Sequence, residues 1–330
     1  MQKHKCKRPL IVLPRRVLEN NWNAEIKKWK IRCRPTYIQY ASFIKPNKWS
    51  SKKFDMIIFD EAHHISERCL KALDVNSKLW EDKPIALLSA TVPKDLKIQL
   101  QLLFKPLVII KDTLQQTIEE GVLPKPTICY IRCELPYLLR ASYTEIQNKC
   151  QDAKNAAMRN PRRKNWWLHQ CKLRNEWLAC QKNDIIQKLL TIYNEYRMLV
   201  FCANIKQAQN LNIIDITSGN KEAAKNLEDF NNKTINTISA VSMLDEGLNL
   251  KDCKIALMAY VTISERLNIQ RLGRILRHPQ PILLFPYFAG TREEEIMRSF
   301  YTRFKDASTT IHITEQKVEE HYQKSMNNER

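Results

Sequence analysis

Short apolar runs alternate with helical stretches along most of this chain, and this alternation constrains the fold more than any other feature. The run Pro9–Leu13 is followed by a stretch, ending at Trp29, whose apolar residues recur at helical spacing. Further apolar runs cover residues 54–59 and 84–88. Short apolar runs bounded by turns are typical of strands that are buried on both faces. The pattern therefore predicts α/β domains, each built on a parallel sheet with helices on its faces.

The alternation resumes in the second half of the chain. Strands are predicted at 127–133, 198–202, 234–240 and 255–259, and a long polar helical stretch, which we interpret as an insertion, covers about 137–196. A chain of 330 residues is too long for one ordinary core, so we expect two domains. The predicted boundaries are a partial first domain at 1–112, a connector at 113–126, a second domain at 127–310 and a polar tail at 311–330.

Charge and hydropathy narrow the choice of partners. The chain has 54 lysines and arginines against 35 acids, a formal net charge of +19. Such a surplus attracts polyanions such as nucleic acid, although lysines that only raise solubility would give the same count. No apolar run is long enough to cross a bilayer, and no signal peptide is evident. We therefore expect no membrane partner and no secretion.

The ten cysteines are scattered, without a CxxC pair. Cys129 and Cys133 fall on one predicted strand, but a metal site would need two more ligands and none is evident nearby. Buried free thiols in a cytoplasmic or other reducing compartment are the interpretation we favour.

A pair of acids directly follows one of the predicted strands. Asp60-Glu61-Ala62-His63 comes after the apolar run Met56–Phe59. In parallel sheets, ligand-binding residues collect at the carboxyl ends of strands. Nucleotide hydrolysis needs one acid that holds Mg²⁺ through its water shell and a second that orients the attacking water; Asp60 and Glu61 suit these roles. The alternative is a helix N-terminus at which acids only favour the macrodipole.

The segment Asp60-Glu61-Ala62-His63 resembles the DEAH form of motif II in superfamily 2 helicases and translocases. Other segments, from about Pro9 to Phe288, are similar to the remaining motifs of that family in the same order. They are Leu10–Arg16 with Asn21-Trp22 (motif Ia), Tyr40-Ala41-Ser42 (the segment ahead of motif II), Ser89-Ala90-Thr91 (motif III), Val241–Asn249 (motif V) and Gln270–Arg277 (motif VI). A single triplet is weak, but the ordered set is specific.

The resemblance implies two RecA-like parallel-sheet domains, ATP and Mg²⁺ as cofactors, and nucleic acid as partner. The implied catalytic residues, of which the first also binds Mg²⁺ through water, are Asp60, Glu61, Arg274 and Arg277. The implied nucleotide-binding residues are His63, Gly247, Asn249 and Gln270. The implied nucleic-acid-binding residues are Pro14, Arg15, Arg16, Ser89, Thr91 and Ser242.

Motif VI also has a physical rationale of its own. Phosphoryl transfer concentrates negative charge, which a guanidinium group from the other domain can neutralise. Arg274 and Arg277 lie three residues apart, so one helix face could present both. The alternative, a solvated basic helix end, suits Arg271 better than these two.

Motif V supports a weaker prediction, because its alignment is loose by one residue. Gly247 permits a turn or a close approach of the backbone to a ligand. Ser242 could donate to a phosphate, but ordinary strand polarity explains it equally well, and both interpretations stay open.

A basic and aromatic segment, residues 162–167, lies within the predicted insertion. Aromatic side chains beside cations can stack on unpaired bases while the cations bind phosphates. Tryptophan in a helical stretch more often packs within its own domain, so we favour packing for Trp166, Trp167 and Trp177.

The chain contains no recognisable Walker A loop, the glycine-rich segment ending in Gly-Lys-Ser/Thr that holds nucleotide phosphates in this family. None of the five glycines is followed by lysine or precedes motif Ia. We therefore expect the first domain to be N-terminally incomplete. The chain would be a fragment, one half of a split motor completed by a partner chain that supplies Walker A, or an ATPase-dead protein.

Two functions follow from these patterns. The first is a helicase or translocase core that couples ATP hydrolysis to movement on nucleic acid or to its unwinding. DNA is favoured over RNA, because motif VI and Asn21-Trp22 resemble DNA-directed members more closely. The alternative is an ATPase-dead nucleic-acid-binding module or accessory subunit.

Overall fold

Two compact units make up the chain. The computed structural model describes residues 6–50, 52–104, 107–110, 112–217, 220–241 and 250–329, with side chains described as far as residue 324. Unit 1 is Met1–Lys111 and unit 2 is Asp112–Arg330. Each unit has its own parallel sheet, which confirms the predicted fold class.

Unit 1 is a four-stranded parallel sheet with helices after its strands. The strands are β1 (Pro9–Leu13), β2 (Thr36–Gln39), β3 (Met56–Phe59) and β4 (Ile85–Leu87), in the order β2-β1-β3-β4. The helices are α1 (Leu18–Lys28), α2 (Tyr40–Phe43), α3 (Glu67–Val75) and α4 (Lys94–Leu103).

The core of unit 1 lies on both faces of this sheet. Alternate side chains of β1 point to opposite faces: Leu10 and Val12 join one apolar cluster, whereas Ile11 and Leu13 join the other. All four are buried. Apolar residues at every position of the run are therefore explained by a strand that is covered on both sides.

Unit 2 is a six-stranded parallel sheet in the order β10-β5-β9-β8-β6-β7. Its strands are β5 (Thr127–Cys133), β6 (Met198–Phe201), β7 (Thr237–Ala240), β8 (Ile255–Leu257), β9 (Ile282–Phe288) and β10 (Thr309–Thr314). Its helices are α5 (Leu114–Glu119), α6 (Tyr137–Arg159), α7 (Lys164–Gln181), α8 (Asn183–Ile192), α9 (Ile205–Asn210), α10 (Ala223–Asn231), α11 (Glu265–Gly273), α12 (Arg292–Phe304) and α13 (Val318–Glu329).

The predicted helical insertion is shorter in the structure. Helix α8 contributes Ile185, Ile186 and Leu189 to the core on one face of the unit 2 sheet. It is therefore a covering helix of the domain, not part of an insertion. We call the two helices that precede it, α6 and α7, the α6–α7 hairpin.

Two further expectations about unit 2 were wrong. The predicted polar tail at 311–330 includes part of β10, which pairs with β5, and α13, whose Val318 is 1% exposed. The predicted connector at 113–126 includes α5, and Leu114 and Leu123 pack against the unit 2 core. Both segments belong to the domain because their few apolar side chains pack in or against its core.

All ten cysteines are free, and seven of them are buried. Burial raises the pKa of the Cys129 thiol to about 12, as it does for Cys202. Thiols of this kind are inert core residues at neutral pH. Within the described residues, no helix combines the length and apolar composition needed to cross a membrane.

Candidate functional site

The carboxyl edge of the unit 1 sheet gathers the predicted site residues of that unit. Its strands are all parallel, so the residue that follows each strand lies at this one edge. The Asp60 N–H donates to the carbonyl of Val12 at 3.0 Å, which ties the end of β3 to the end of β1. The residues following β1, β2, β3 and β4 include Pro14, Arg15, Arg16, Tyr40, Asp60, Glu61, Ser89 and Thr91.

The Asp60 carboxylate is held in place from two sides. The Trp22 indole N–H donates to Oδ2 at 2.8 Å, and the Glu61 backbone N–H donates to Oδ1 at 3.1 Å. The Tyr40 hydroxyl donates to the Asp60 carbonyl at 2.8 Å. Each carboxylate oxygen has further lone pairs, so both can still accept a hydrogen bond from metal-bound water. The donor set therefore fits the water-mediated role predicted for Asp60.

Glu61 occupies the left-handed backbone region, with φ 50° and ψ 57°. This conformation costs a non-glycine residue about 1 to 2 kcal/mol. The turn that follows is fixed by the Ala62 N–H, which donates to the Leu88 carbonyl at 2.8 Å. Strained residues that their surroundings hold in place are concentrated at functional sites, so the strain agrees with a chemical role for Glu61.

His63 joins motif II to motif III. Its Nδ1 lies 3.1 Å from Ser89 Oγ and 3.4 Å from Glu61 Oε2. The Ser89 hydroxyl donates its only proton to the Thr91 carbonyl at 2.7 Å, so towards His63 it acts as an acceptor. A proton on Nδ1 would suit both the Ser89 hydroxyl and the nearby Glu61 carboxylate. His63 therefore lies between Ser89 of motif III and Glu61 of the acid pair.

The motif Ia cations differ in their surroundings. Pro14 and Arg15 are half-buried, whereas Arg16 is exposed and lies 3.8 Å from Glu19. An exposed pair at that distance contributes little to stability and can open readily for another anion. Arg16 is thus available to a phosphate at this edge.

In unit 2, motif VI begins on α11. Gln270 and Arg271 are buried. Arg271 Nη1 donates to the Tyr260 carbonyl at 2.9 Å, and the guanidinium lies 4.9 Å from the centre of the Phe201 ring. The alternative interpretation, a solvated basic helix end, therefore does not hold for Arg271. It anchors α11 to the carboxyl ends of β6 and β8.

Arg274 and Arg277 do not share a helix face. Helix α11 ends at Gly273, Arg274 caps it, and Arg277 lies in the following turns. Arg274 is half-buried and Arg277 is exposed, while Ile275 and Leu276 between them are buried. The helical-face prediction was wrong because the helix ends at Gly273 and the chain continues in turns, where Ile275 and Leu276 are buried.

The motif V predictions, Ser242, Gly247 and Asn249, lie outside the described residues. Among the residues that are described, no group of three or more His, Cys, Asp or Glu side chains forms a metal cluster.

Comparison with known proteins supports the fold and the helicase resemblance of unit 2. Residues 181–279 match the family model described as Helicase conserved C-terminal domain. Unit 2 therefore contains a region that is similar to the conserved C-terminal domain of helicases. The match lies wholly within unit 2 and includes motif VI, and it confirms the predicted resemblance. No curated protein sequence matches the chain.

Solved structures of two other proteins share this fold over most of the chain. S. cerevisiae Dbp5 bound to RNA and ADP BeF3 superposes with a TM-score of 0.65 at 10% identity, covering 97% of this chain and 81% of that one. The Pyrococcus furiosus Hef helicase domain gives a TM-score of 0.53 at 13% identity, covering 89% of each chain. At these identities the likeness shows the fold alone.

Three residues of the two units were not predicted to have a role. Trp22 and Tyr40 hold Asp60, and Arg271 anchors motif VI. Trp22 and Tyr40 do stand in segments that resemble family motifs, which was the available signal. Their hydrogen bonds depend on the sheet bringing three chain segments together, and sequence spacing does not report that.

Proposed function

We propose that this helicase core is part of an ATP-dependent motor that moves on nucleic acid or separates its strands. Asp60 would hold Mg²⁺ through water, and Glu61 would orient the attacking water. Arg274 and Arg277 would offset charge on the transferred phosphoryl group, with Gln270 and His63 at the nucleotide. Gly247 and Asn249 would also contact the nucleotide, as the motif resemblance implies.

The observation that carries this proposal is the contact between motifs II and III. His63 lies within hydrogen-bond reach of Ser89 and close to Glu61. In a motor, the residues that contact the nucleotide must be linked to those that contact the strand. Otherwise hydrolysis would not change the affinity for the strand. This network offers such a link within one unit.

ATP and Mg²⁺ fit the residues only in part. The oxygens of Asp60 can accept from metal-bound water, but the 330 residues contain no Gly-Lys-Ser/Thr loop to cradle a triphosphate. When bound, Mg²⁺-ATP would supply a phosphoanhydride whose hydrolysis releases free energy for movement. Hydrolysis therefore requires a phosphate-binding loop from outside these residues, in the same polypeptide or in a partner chain.

The nucleic-acid partner would contact motif Ia and motif III, through Pro14, Arg15, Arg16, Ser89 and Thr91, and Ser242 of motif V. The net charge of +19 favours a polyanion. Motif similarity favours DNA. One similar structure, Dbp5, was solved with RNA, so the binding test must compare both.

Stimulated ATP hydrolysis by the loop-complete protein or complex tests the proposal. Glu61→Gln should lower the strand-stimulated rate by at least about 100-fold, because it removes the group that orients water. Affinity for the strand should stay unchanged. Glu67→Gln, on the exposed first turn of α3, is the matched control and should keep the full rate. An unaffected rate in Glu61→Gln would mean that motif II has another role.

The absent Gly-Lys sequence also favours a second function, a nucleic-acid-binding module without hydrolysis. In that case the complete native assembly would bind strands, in a salt-dependent manner, but would show no hydrolysis that Glu61→Gln could lower.

A further inference from the structure

The α6–α7 hairpin ends in a basic tip that the motor function does not use. The Cys150 thiol on α6 contacts the Gln170 carbonyl on α7 at 3.2 Å, and Arg174 Nη1 donates to Gln147 Oε1 at 3.0 Å. Later residues of α7 thus contact earlier residues of α6, so the helices run antiparallel. Their joining turn, Pro161–Arg163, lies at the far end of the hairpin.

The tip, which we define as residues 158–166, concentrates positive charge. All of its residues are exposed. Between residues 153 and 175 the chain has seven lysines and arginines and no acid. Four of these cations belong to the tip: Arg159, Arg162, Arg163 and Lys164.

These four cations are not neutralised within the described part of the chain, where none of them forms an ion pair. Other surface cations of unit 2 do have acidic partners: Lys149 lies 2.6 Å from Glu145, and Lys172 lies 3.6 Å from Glu176. Like charges placed together repel one another, so the cluster costs free energy in the absence of a counter-charge. A polyanion would relieve that cost.

An aromatic ring accompanies the charges. Trp166, in the first turn of α7, is 44% exposed. Trp177, further along the same helix, instead stacks on Tyr143 with ring centres 6.4 Å apart. The packing expected for the insertion's tryptophans thus holds at Trp177 but not at Trp166. An exposed indole beside cations is the combination that binds unpaired nucleotides, since every base offers a flat face for stacking.

We propose that the hairpin tip is a second contact for single-stranded nucleic acid, distinct from the motif residues. Arg159, Arg162, Arg163 and Lys164 bind phosphates, and a base stacks on Trp166. The proposal rests on the motor function for its partner, a strand, but it places contact on an element that carries none of the helicase motifs. An acidic protein surface would satisfy the charges without using the indole in this way.

Binding of a fluorescent 20-nucleotide strand to the full chain, measured over a range of salt concentrations, tests the tip. Changing the four cations to glutamine should lower the slope of log affinity against log salt by about 2 to 3, at about 0.7 per phosphate contact. The matched control removes the same charge from four exposed lysines elsewhere in unit 2, with little effect on the slope. These are Lys188, Lys221, Lys225 and Lys305.

A separate experiment tests the stacking contact. Trp166→Ala should weaken binding by about 5- to 100-fold, whereas Trp166→Phe should keep most of the affinity. On an abasic strand of the same length, the loss caused by Trp166→Ala should disappear, because no base remains to stack.

Each remaining outcome is decisive. If the wild type binds strands but the four-glutamine variant keeps its affinity and slope, the tip proposal fails and the motor proposal stands. If polyglutamate of equal charge competes as well as the strand, and Trp166→Ala has no effect, the tip is an acidic-protein surface and the proposal again fails. If the wild type binds no strand at all, the motor proposal itself fails.

Discussion

At the scale of single residues, the buried ion pair between Lys182 and Glu293 joins the α7–α8 junction to α12. Lys182 Nζ lies 2.6 Å from Glu293 Oε1, and the two side chains are 0% and 2% exposed. Glu293 Oε2 also accepts from the Phe288 N–H at 3.0 Å. Removing one member of such a pair leaves an uncompensated charge in the interior, which is far more costly than losing both.

We predict that Lys182→Met lowers the free energy of unfolding of unit 2 by about 3 to 5 kcal/mol. The double variant with Glu293→Gln should recover most of this loss. Lys149→Met is a matched control, because its pair with Glu145 has the same 2.6 Å distance but is exposed. Urea denaturation measures all three, and an equal loss in the control would refute the role of burial.

Asp55 ties the start of β1 to the turn before β3. Partial burial works against its charge, but hydrogen bonds from the Cys6 thiol and from the N–H groups of Lys7 and Arg8 hold the pKa of this carboxyl below its usual value. A lowered folded-state pKa stabilises the fold above the unfolded-state pKa, about 4, and that stabilisation is lost as pH falls through the folded-state pKa.

Asp55→Asn should therefore destabilise unit 1 at pH 7, and the difference from the wild type should be smaller at pH 3, because the stabilisation from the wild-type carboxylate is lost as pH falls through its lowered pKa. Denaturation at the two pH values gives the comparison, with the exposed Asp74→Asn on α3 as control. A constant difference between wild type and variant at both pH values would show that the carboxylate charge is irrelevant.

Among the secondary-structure elements, those with continuous apolar runs were predictable from the sequence. Strands β1, β3, β5 and β6 fall where the runs are, because both of their faces are buried. Strand β2 was not predicted, since all of its residues are only half-buried. Strand β10 was missed for a similar reason. It lies at the edge of the sheet, beside β5, and its residues Thr309 and His312 are exposed.

Among the site residues, too, some positions could be predicted from the sequence and others could not. Asp60 and Glu61 could be placed from the sequence, because a strand with two acids after it fixes their position at the sheet edge. The burial of Arg271 could not be predicted, since it depends on contacts with Phe201 and Tyr260, which lie at the ends of two strands. The turns after Gly273 were also missed, because they are set by the burial of two neighbours and not by helical spacing.

The C-terminal elements yield a prediction at this scale. Val318, at the start of α13, is buried in the core of unit 2. Val318→Ala should lower the free energy of unfolding by about 2 kcal/mol, through lost burial and the cavity left behind. The neighbouring Glu319→Ala, on an exposed position, should cost no more than about 0.5 kcal/mol. If neither variant changed the stability measured by thermal unfolding, α13 would be a loose tail after all.

At the scale of the whole molecule, each unit supplies one part of a proposed hydrolysis reaction. Under the proposed function, unit 1 would contribute the acids of motif II, and unit 2 would contribute the arginines of motif VI, in the region that matches the helicase conserved C-terminal domain. If one reaction needs both sets of residues, the rate losses of the single variants should not multiply in the double variant. Residues that act together are not additive, so removing a second one after the first costs little more.

The most direct measurement is strand-stimulated ATP hydrolysis by the loop-complete protein carrying Glu61→Gln, Arg274→Lys or both. Arg274→Lys keeps the charge but loses the guanidinium, and it should lower kcat by about 1000-fold or more. The double variant should be no slower than the slower single variant. Unchanged hydrolysis in either single variant, or losses that multiply in the double variant, would contradict the claim that the two units serve one reaction.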